Sequence, residues 1–252
     1  MVLPLVLLAA LFMGCSRSGI DPVVQESRHQ AAHPGPVRSD DMPPFHVIDD
    51  PIESFNRGAG VFNEGMLRYF IHPFHRVYRL LFPKPVREHL GKFGYTLAFP
   101  KRLITTALQG KSRGTLDETN RFLVNTTIGI AGIFDPATKW GIPTHEEDFG
   151  QTFGGWGMGP GFFFNIPVLG PSSGRDVLGT LLDIPFDIAF WAGGGIFFNL
   201  NDLSFHSDQM LAQIESLEDP YPLLRDAWAM NREMDVLDFV IKDVEGDPDE
   251  TL

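Results

Sequence analysis

Gly170-Pro171-Ser172-Ser173-Gly174 spells G-x-S-x-G, the pattern in which a serine hydroxyl sits on a sharp strand-to-helix turn and attacks an ester carbonyl. The motif lies between an apolar run, Phe162 to Leu169, and a helix predicted from Arg175. Such a serine needs a histidine to take its proton and a carboxylate to orient that histidine. Only His206 follows Ser172 in the chain, with Asp183, Asp187 or Asp202 to orient it. The alternating strands and helices that carry this chemistry are missing upstream, so the expected role of Ser172 or Ser173 is to cap the next helix. A Ser172-dependent phospholipase is kept as the weaker reading.

Other chemistries fare worse. His72 and His75 are three residues apart, but Pro73 lies between them and no third ligand is evident. His145-Glu146-Glu147-Asp148 is not H-E-x-x-H, and no glycine loop ends in Lys and Ser/Thr to cradle phosphates. No metal, nucleotide or other cofactor is expected, and no enzyme activity. The net charge is −12, but it is divided: between Pro51 and Thr115 there are 11 Lys/Arg against 3 Asp/Glu. The bland reading is an uneven solvated surface. The functional one sets the basic segment against anionic headgroups and the acidic end against water or a soluble partner. The basic stretch carries no organised nucleic-acid motif, so no nucleic acid partner is expected.

Cys15 is the only cysteine, which excludes an intrachain disulfide. Val2 to Gly14 is uncharged and apolar, the length of a signal-peptide core and too short to span a bilayer. It ends in Leu11-Phe12-Met13-Gly14-Cys15, which resembles a lipobox, where the cysteine is diacylated and becomes the first mature residue. Phe12 stands where lipoboxes prefer Leu, and no Lys or Arg precedes the run. Two acyl chains hold a protein on a membrane where one would be marginal. Ser16, rather than Asp, follows Cys15 and resembles an outer-membrane address. Residues 16–47 are polar and rich in Pro, His and Asp, and read as a flexible tether with a reach on the order of 30 Å. The expected organisation is 1–15 signal peptide, 16–47 tether, 48–242 folded domain and 243–252 acidic tail.

The elements of that domain read as helices. Asp50 as N-cap with Pro51 behind it opens the first. Ile52, Phe55, Ala59, Phe62, Met66 and Phe70 then recur at steps of three and four, one stripe of a helix. Val86, Leu90, Phe93 and Leu97 mark a second helix, and Leu103, Ile104, Ala107 and Leu108 a third. Ser112 or Thr115 caps a fourth, carrying Leu116, Phe122, Leu123 and Ile128. Thr144 and Glu147 form a capping box for a short helix through Phe153. Leu223, Leu224, Ala227, Met230, Met234 and Leu237 make the last. Core packing is the default reading of such stripes. Ile184 to Leu200 is too short and interrupted to span a bilayer, and reads as a buried segment or as one lying in a single leaflet. The chain holds 22 Phe against 4 Tyr and 4 Trp, rings without a polar handle that suit a dry core or acyl chains. No internal repeat and no barrel-like alternation is visible.

Asp50-Pro51-Ile52-Glu53-Ser54-Phe55-Asn56-Arg57, with Phe62-Asn63 following, reads D-P-x-E-x-F-N-R. With that start, the sequence from Asp50 to about Phe186 resembles the MlaA/VacJ family. Arg121-Phe122-Leu123-Val124-Asn125-Thr126-Thr127-Ile128-Gly129 matches its R-F-x-x-N-T-x-x-G helix, and Phe134-Asp135-Pro136-Ala137 follows. Then come Glu147 to Gly154, Trp156 to Gly161 and Pro167 to Asp176, and later Asp219-Pro220-Tyr221 with Arg225-Asp226-Ala227. Several ordered blocks together are specific where each alone would be weak.

The resemblance implies a mainly α fold: a single ring-like helical domain embedded in one membrane leaflet, with a short irregular or hairpin Gly-rich segment. It implies an outer-membrane lipoprotein facing the periplasm from the inner leaflet. Such a protein removes mislocalised phospholipid from the outer leaflet through an amphipathic passage, beside a trimeric porin, and hands it to a periplasmic lipid-binding protein. A headgroup dragged through hydrocarbon costs several kcal/mol, which a polar passage lowers. The expected passage and gate lie between Phe149 and Asp176: Phe149, Gly154, Trp156, Gly157, Gly159, Pro160, Gly161, Phe162, Phe163, Phe164, Pro167, Gly170, Pro171, Arg175 and Asp176. Its glycines would let backbone bend and approach closely, or serve only as turns. A porin-bracing lipoprotein without lipid passage is the other reading.

Overall fold

The structure is a computed structural model describing residues 48–191 and 194–238. Cys15, the signal run, the tether to residue 47 and the acidic tail from residue 243 lie outside the described residues, as do residues 192–193 of the apolar segment.

The chain opens with α1, Glu53–Met66, which runs through a π-helical turn, Leu67–Ile71, into α2, His72–Leu81. The wide turn sits directly before Pro73, whose ring would clash with a carbonyl of the preceding turn in a regular α-helix. Then follow α3 (Lys84–Leu97), α4 (Phe99–Leu108), α5 (Ser112–Thr127) and the short α6 (Pro136–Lys139). Prolines near the starts of α3, α4 and α6 suit the first turn, where an N–H is unpaired anyway. The α7 helix is Phe149–Gly155. An antiparallel hairpin of β1 (Phe163–Ile166) and β2 (Gly170–Ser173) leads into α8 (Gly174–Asp183). A 3₁₀ turn (Ile184–Phe186), α9 (Ile188–Trp191), α10 (Gly195–Glu215) and α11 (Pro220–Val236) complete the order. The fold is mainly α with one short hairpin, as expected. Among the described residues no helix is long and apolar enough to cross a membrane.

Three helix starts differ from the sequence reading. Neither Ser112 nor Thr115 caps α5: its N-cap is Lys111, with no side-chain cap, and the Thr115 hydroxyl donates back to the Lys111 carbonyl at 3.0 Å. The first helix begins at Glu53, and Asp50 accepts hydrogen bonds from Asn56 and Tyr221 instead of capping it. The cap of α7 is Asp148, which accepts from the Gln151 amide at 2.9 Å, rather than Thr144 with Glu147. Glu147 is drawn to Lys111 at 2.8 Å and to Gln109 at 2.8 Å. A box partner already held by an ammonium leaves the helix end to its neighbour.

The larger difference is direction. The apolar stripes are helical, but most face outward. Of the first stripe only Ala59 is buried, while Phe55, Phe62 and Phe70 are 50, 49 and 66 % exposed. In α5 the buried face is Gly114, Glu118, Arg121 and Asn125, and Leu116 and Leu123 point out. In α4 Arg102, Thr105 and Thr106 are buried and Leu108 is exposed. Fully buried large side chains include Arg121, Glu118, His75, Asn56 and Asn201 beside Phe163. Leu80, Tyr69 and Leu81 are at least 70 % exposed. A fold assembled in water hides oil and shows charge. Here the helices meet through polar groups and turn their oil outward.

Candidate functional site

The hairpin is clamped by α1. Asn56, fully buried, donates to the Asp50 carboxylate at 2.7 Å and to the Phe163 carbonyl at 3.1 Å. It accepts from the Asn165 amide at 2.9 Å, and the Asn165 side chain donates to the Asn56 carbonyl at 3.1 Å. Asn63, two turns on, donates to Asn165 at 3.2 Å and to the Ile166 carbonyl at 3.0 Å. The Phe163 amide on this edge donates to the Asp49 carbonyl at 2.8 Å in a single parallel bridge, and two amides on one helix face satisfy the groups beyond it, which low-dielectric surroundings make costly to leave open. Phe163 turns inward against Tyr221 and Trp228 of α11, at 6.2 and 5.7 Å between centroids. Phe164 stacks on Phe55 at 5.6 Å, and Phe162, beside Phe164, is 44 % exposed. Pro167 and Pro171 are half-buried within the hairpin and Gly170, at φ 86°, closes its turn.

Before the hairpin, residues 156–161 form an exposed loop. Gly157 and Gly161 hold positive φ values of 91° and 73° that other residues rarely adopt, and Gly159 faces open space. Trp156 and Met158 are 59 and 46 % exposed. The Trp156 indole donates to the Leu108 carbonyl at 3.1 Å, and the Pro160 carbonyl accepts from the Arg175 amide at 3.2 Å. The loop is therefore pinned at both ends, to α4 and to the start of α8.

Beneath it lies a charged core. Asp148 caps α7, and the Ser173 hydroxyl, which also donates to Asp176 at 2.7 Å, caps α8 by accepting from the Asp176 amide. Arg232 of α11 joins the two helix starts, donating to Asp148 at 2.7 and 3.0 Å and to Asp176 at 2.7 and 2.9 Å. Arg175 adds a contact to Asp176 at 3.4 Å, and its other end faces the Met158 carbonyl. Burial alone would raise the Asp176 carboxyl; the charge and hydrogen bonds of Arg232 outweigh it and hold that carboxyl below its ordinary range. The two helices press together at Gly179, where a Cβ would stand 2.3 Å from the Gly150 nitrogen. Phe149 is buried against Phe186, and Gly154 lies against Val236 of α11.

The motif residues of α5 sit in a separate network. Arg121 donates to Asp135 at 2.8 Å, to Thr138 at 2.9 Å and to the Ile142 carbonyl. Asn125 donates to Asp135 at 2.9 Å and accepts from the Ala137 amide. Thr126 faces outward, and the Gly129 carbonyl takes the Phe134 amide at 2.9 Å. Next to it Arg102 and Glu118 form a buried ion pair at 2.8 Å, with Tyr95 donating to the same carboxylate. Of the opening motif, Pro51 is exposed, and Arg57 pairs with Asp219 at 2.9 Å beside the Tyr221 ring.

The structure thus gathers Asn56, Asn63, Phe149, Gly154, Phe163, Arg175 and Asp176 around the hairpin and the joint between α7 and α8, and leaves Arg121, Asn125 and Gly129 apart. Ser172 lies buried in β2, and the capping reading of Ser173 holds. Among the described residues no three His, Cys, Asp or Glu side chains converge on a metal site. Sequence reasoning missed Arg232, Asp148, Glu118 and Arg102. The available signal was their spacing: polar residues recur at helical steps between apolar ones, as at Gly114, Glu118, Arg121 and Asn125.

Residues 48–235 match the family model described as MlaA lipoprotein. A Haemophilus influenzae protein named intermembrane phospholipid transport system lipoprotein MlaA is 25 % identical over 229 residues, covering 86 % of this chain and 92 % of that one. Its Escherichia coli namesake is 28 % identical over 232 residues, covering 86 and 81 %. An uncharacterised Rickettsia bellii protein is 29 % identical over 201 residues, covering 75 and 77 %. A chain from a structural study of the maintenance of bacterial outer membrane lipid asymmetry superposes with a TM-score of 0.67 at 25 % identity, covering 75 % of this chain and 99 % of that one.

Proposed function

The chain belongs to the MlaA lipoprotein family, and from that premise we propose that it acts at the outer membrane in intermembrane phospholipid transport, withdrawing mislocalised phospholipid from the outer leaflet. The observation that carries this reading is the inverted burial: arginines, carboxylates and amides inside, leucines and aromatic rings outside. Exposed apolar area of this extent is unfavourable in water and natural in acyl chains. The protein sits in the inner leaflet, held additionally by the acylated Cys15, as one ring-like body. The polar interior gives a headgroup the hydrogen bonds it loses on leaving water, and the outer face keeps the tails in fat. The exposed loop with Trp156, Met158 and Phe162 is the gate, since it joins an apolar surface to the charged core through Arg175. The protein binds, positions and passes lipid and breaks no bond. Its partners are a trimeric porin, which it lies beside, and a periplasmic carrier, which receives the lipid.

The test is deletion of the gene, with outer-leaflet phospholipid measured by surface-accessible acylation or by phospholipase digestion of intact cells. The expected result is accumulation and sensitivity to detergent, restored by the full chain. Unchanged outer-leaflet lipid would favour a brace for the porin and end the transport reading.

A further inference from the structure

Away from the hairpin, α2, α3 and α10 meet in a second polar seam. Tyr78 donates to Asn201 at 2.7 Å, Asn201 donates to the Arg87 carbonyl at 2.9 Å, and Arg87 donates to the Ser204 hydroxyl at 2.6 Å. Ser207 is one turn further along the same face of α10. At the outer end Asp208 is taken by Arg79 at 2.6 Å and by His72 at 2.8 Å.

The seam is incomplete. The Arg87 side chain is buried, at 7 % residual exposure, and among the described residues no carboxylate pairs with it. Its guanidinium lies over the Phe205 ring at 4.4 Å, and its Nε has no hydrogen-bond partner. Ser207 and His75 are fully buried, and the Ser207 hydroxyl and both His75 ring nitrogens are also without partners. The Leu200 carbonyl lies near enough to favour a protonated ring but falls short of hydrogen-bond geometry. A buried cation without a counter-charge is unfavourable, and each buried orphan polar atom adds to the cost. Every other described buried arginine in this fold has a carboxylate in salt-bridge range: Arg102, Arg121, Arg175 and Arg232. Residues 83–86, which lead to Arg87, are exposed, so the guanidinium lies just under the surface at the start of α3.

We propose that this seam is a phosphate-binding site, in which the Arg87 guanidinium, the Ser207 hydroxyl and an N–H of His75 donate to the oxygens of one phosphate anion. A guanidinium matches phosphate in geometry and charge, and neutral hydroxyl and imidazole donors complete the oxygens without adding repulsion. The phosphate belongs to a lipid headgroup or is free inorganic phosphate. The headgroup assignment rests on the transport reading; the free-phosphate assignment does not.

The full chain in detergent is titrated calorimetrically with three ligands: dihexanoyl phosphatidylglycerol below its micelle concentration, dihexanoylglycerol without phosphate, and inorganic phosphate. Phosphatidylglycerol is expected to bind at least tenfold tighter than dihexanoylglycerol. That preference should vanish in Arg87→Gln, survive largely in Arg87→Lys, and fall severalfold in Ser207→Ala, a small lesion that keeps a readout if Arg87→Gln does not fold. Tight binding of inorganic phosphate with the same dependence on Arg87 assigns the site to free phosphate. Indifference of every ligand to Arg87 and Ser207, in variants whose helicity is intact, overturns the proposal and leaves the orphan groups to water. A wild-type chain that restores outer-leaflet lipid while showing that indifference separates failure of this site from failure of the transport reading.

Discussion

Arg232 shows how much one side chain carries. It neutralises two carboxylates at two helix starts: Asp148, which caps α7, and Asp176, which lies in the first turn of α8 and is held by the Ser173 cap. Removing one partner from a buried ion pair leaves an uncompensated charge and typically costs about 3–5 kcal/mol. Arg232→Gln is therefore expected to lower the unfolding free energy in detergent by about that amount, read from a denaturant titration followed by circular dichroism; a loss below 1 kcal/mol would mean that water already reaches the pair. His75 has its own signature. Burial first, and then the charges of Arg79, His72 and Arg87, push its ring down to about 4 from an ordinary 6.5. The unfolded chain then binds the proton more readily, so this contribution to stability is fully present above pH 6.5 and is lost as pH falls toward 4. The expected loss is on the order of 2–3 kcal/mol, and His75→Gln should flatten the stability profile across that interval.

At the level of elements, the joint between α7 and α8 depends on two glycines in backbone contact. Gly179→Ala would place a methyl 2.3 Å from the Gly150 nitrogen, so the helices must separate and Arg232 must lose one of its two carboxylate partners. A loss of at least 2 kcal/mol is expected. Gly155→Ala meets nothing within 4 Å and should change stability by less than about 0.5 kcal/mol. The pair checks the geometry by thermal unfolding. This joint also marks what the sequence made legible. The positions of α1, α3, α4, α5, α7 and α11 followed from spacing and capping patterns, those of α2 and α10 did not, and a hairpin was expected only as one form of the Gly-rich segment that the family resemblance implies. Which face of each helix turns inward did not follow. Spacing fixes a stripe, whereas direction depends on the solvent, and Phe55 or Leu123 obeys opposite rules in water and in fat. Arg232 and Asp148 were invisible for a related reason: they lie 84 residues apart, and nothing local pairs them.

For the molecule as a whole, inverted burial predicts an inverted response to surface change. Leu80 and Leu81 are 84 and 70 % exposed. Replacing both with Ser should leave the melting temperature in detergent within 2–3 °C, roughly the effect of a neutral surface change. It should weaken partition of the protein into phospholipid vesicles by about 3–6 kcal/mol, since each of the two buried apolar side chains is worth about 1.5–3 kcal/mol. A large drop in melting temperature with unchanged partition would place α2 inside a protein core instead. The asparagine clamp has a mechanical corollary on the same scale. Asn56 and Asn63 engage the strand at two points set by the pitch of one helix and the rise of one strand. Sliding the strand by a fraction of a residue would disengage both at once, and sliding by one whole residue would aim its side chains the wrong way. The hairpin is therefore indexed like a pawl in a ratchet: it is either seated or released, and intermediate settings are penalised.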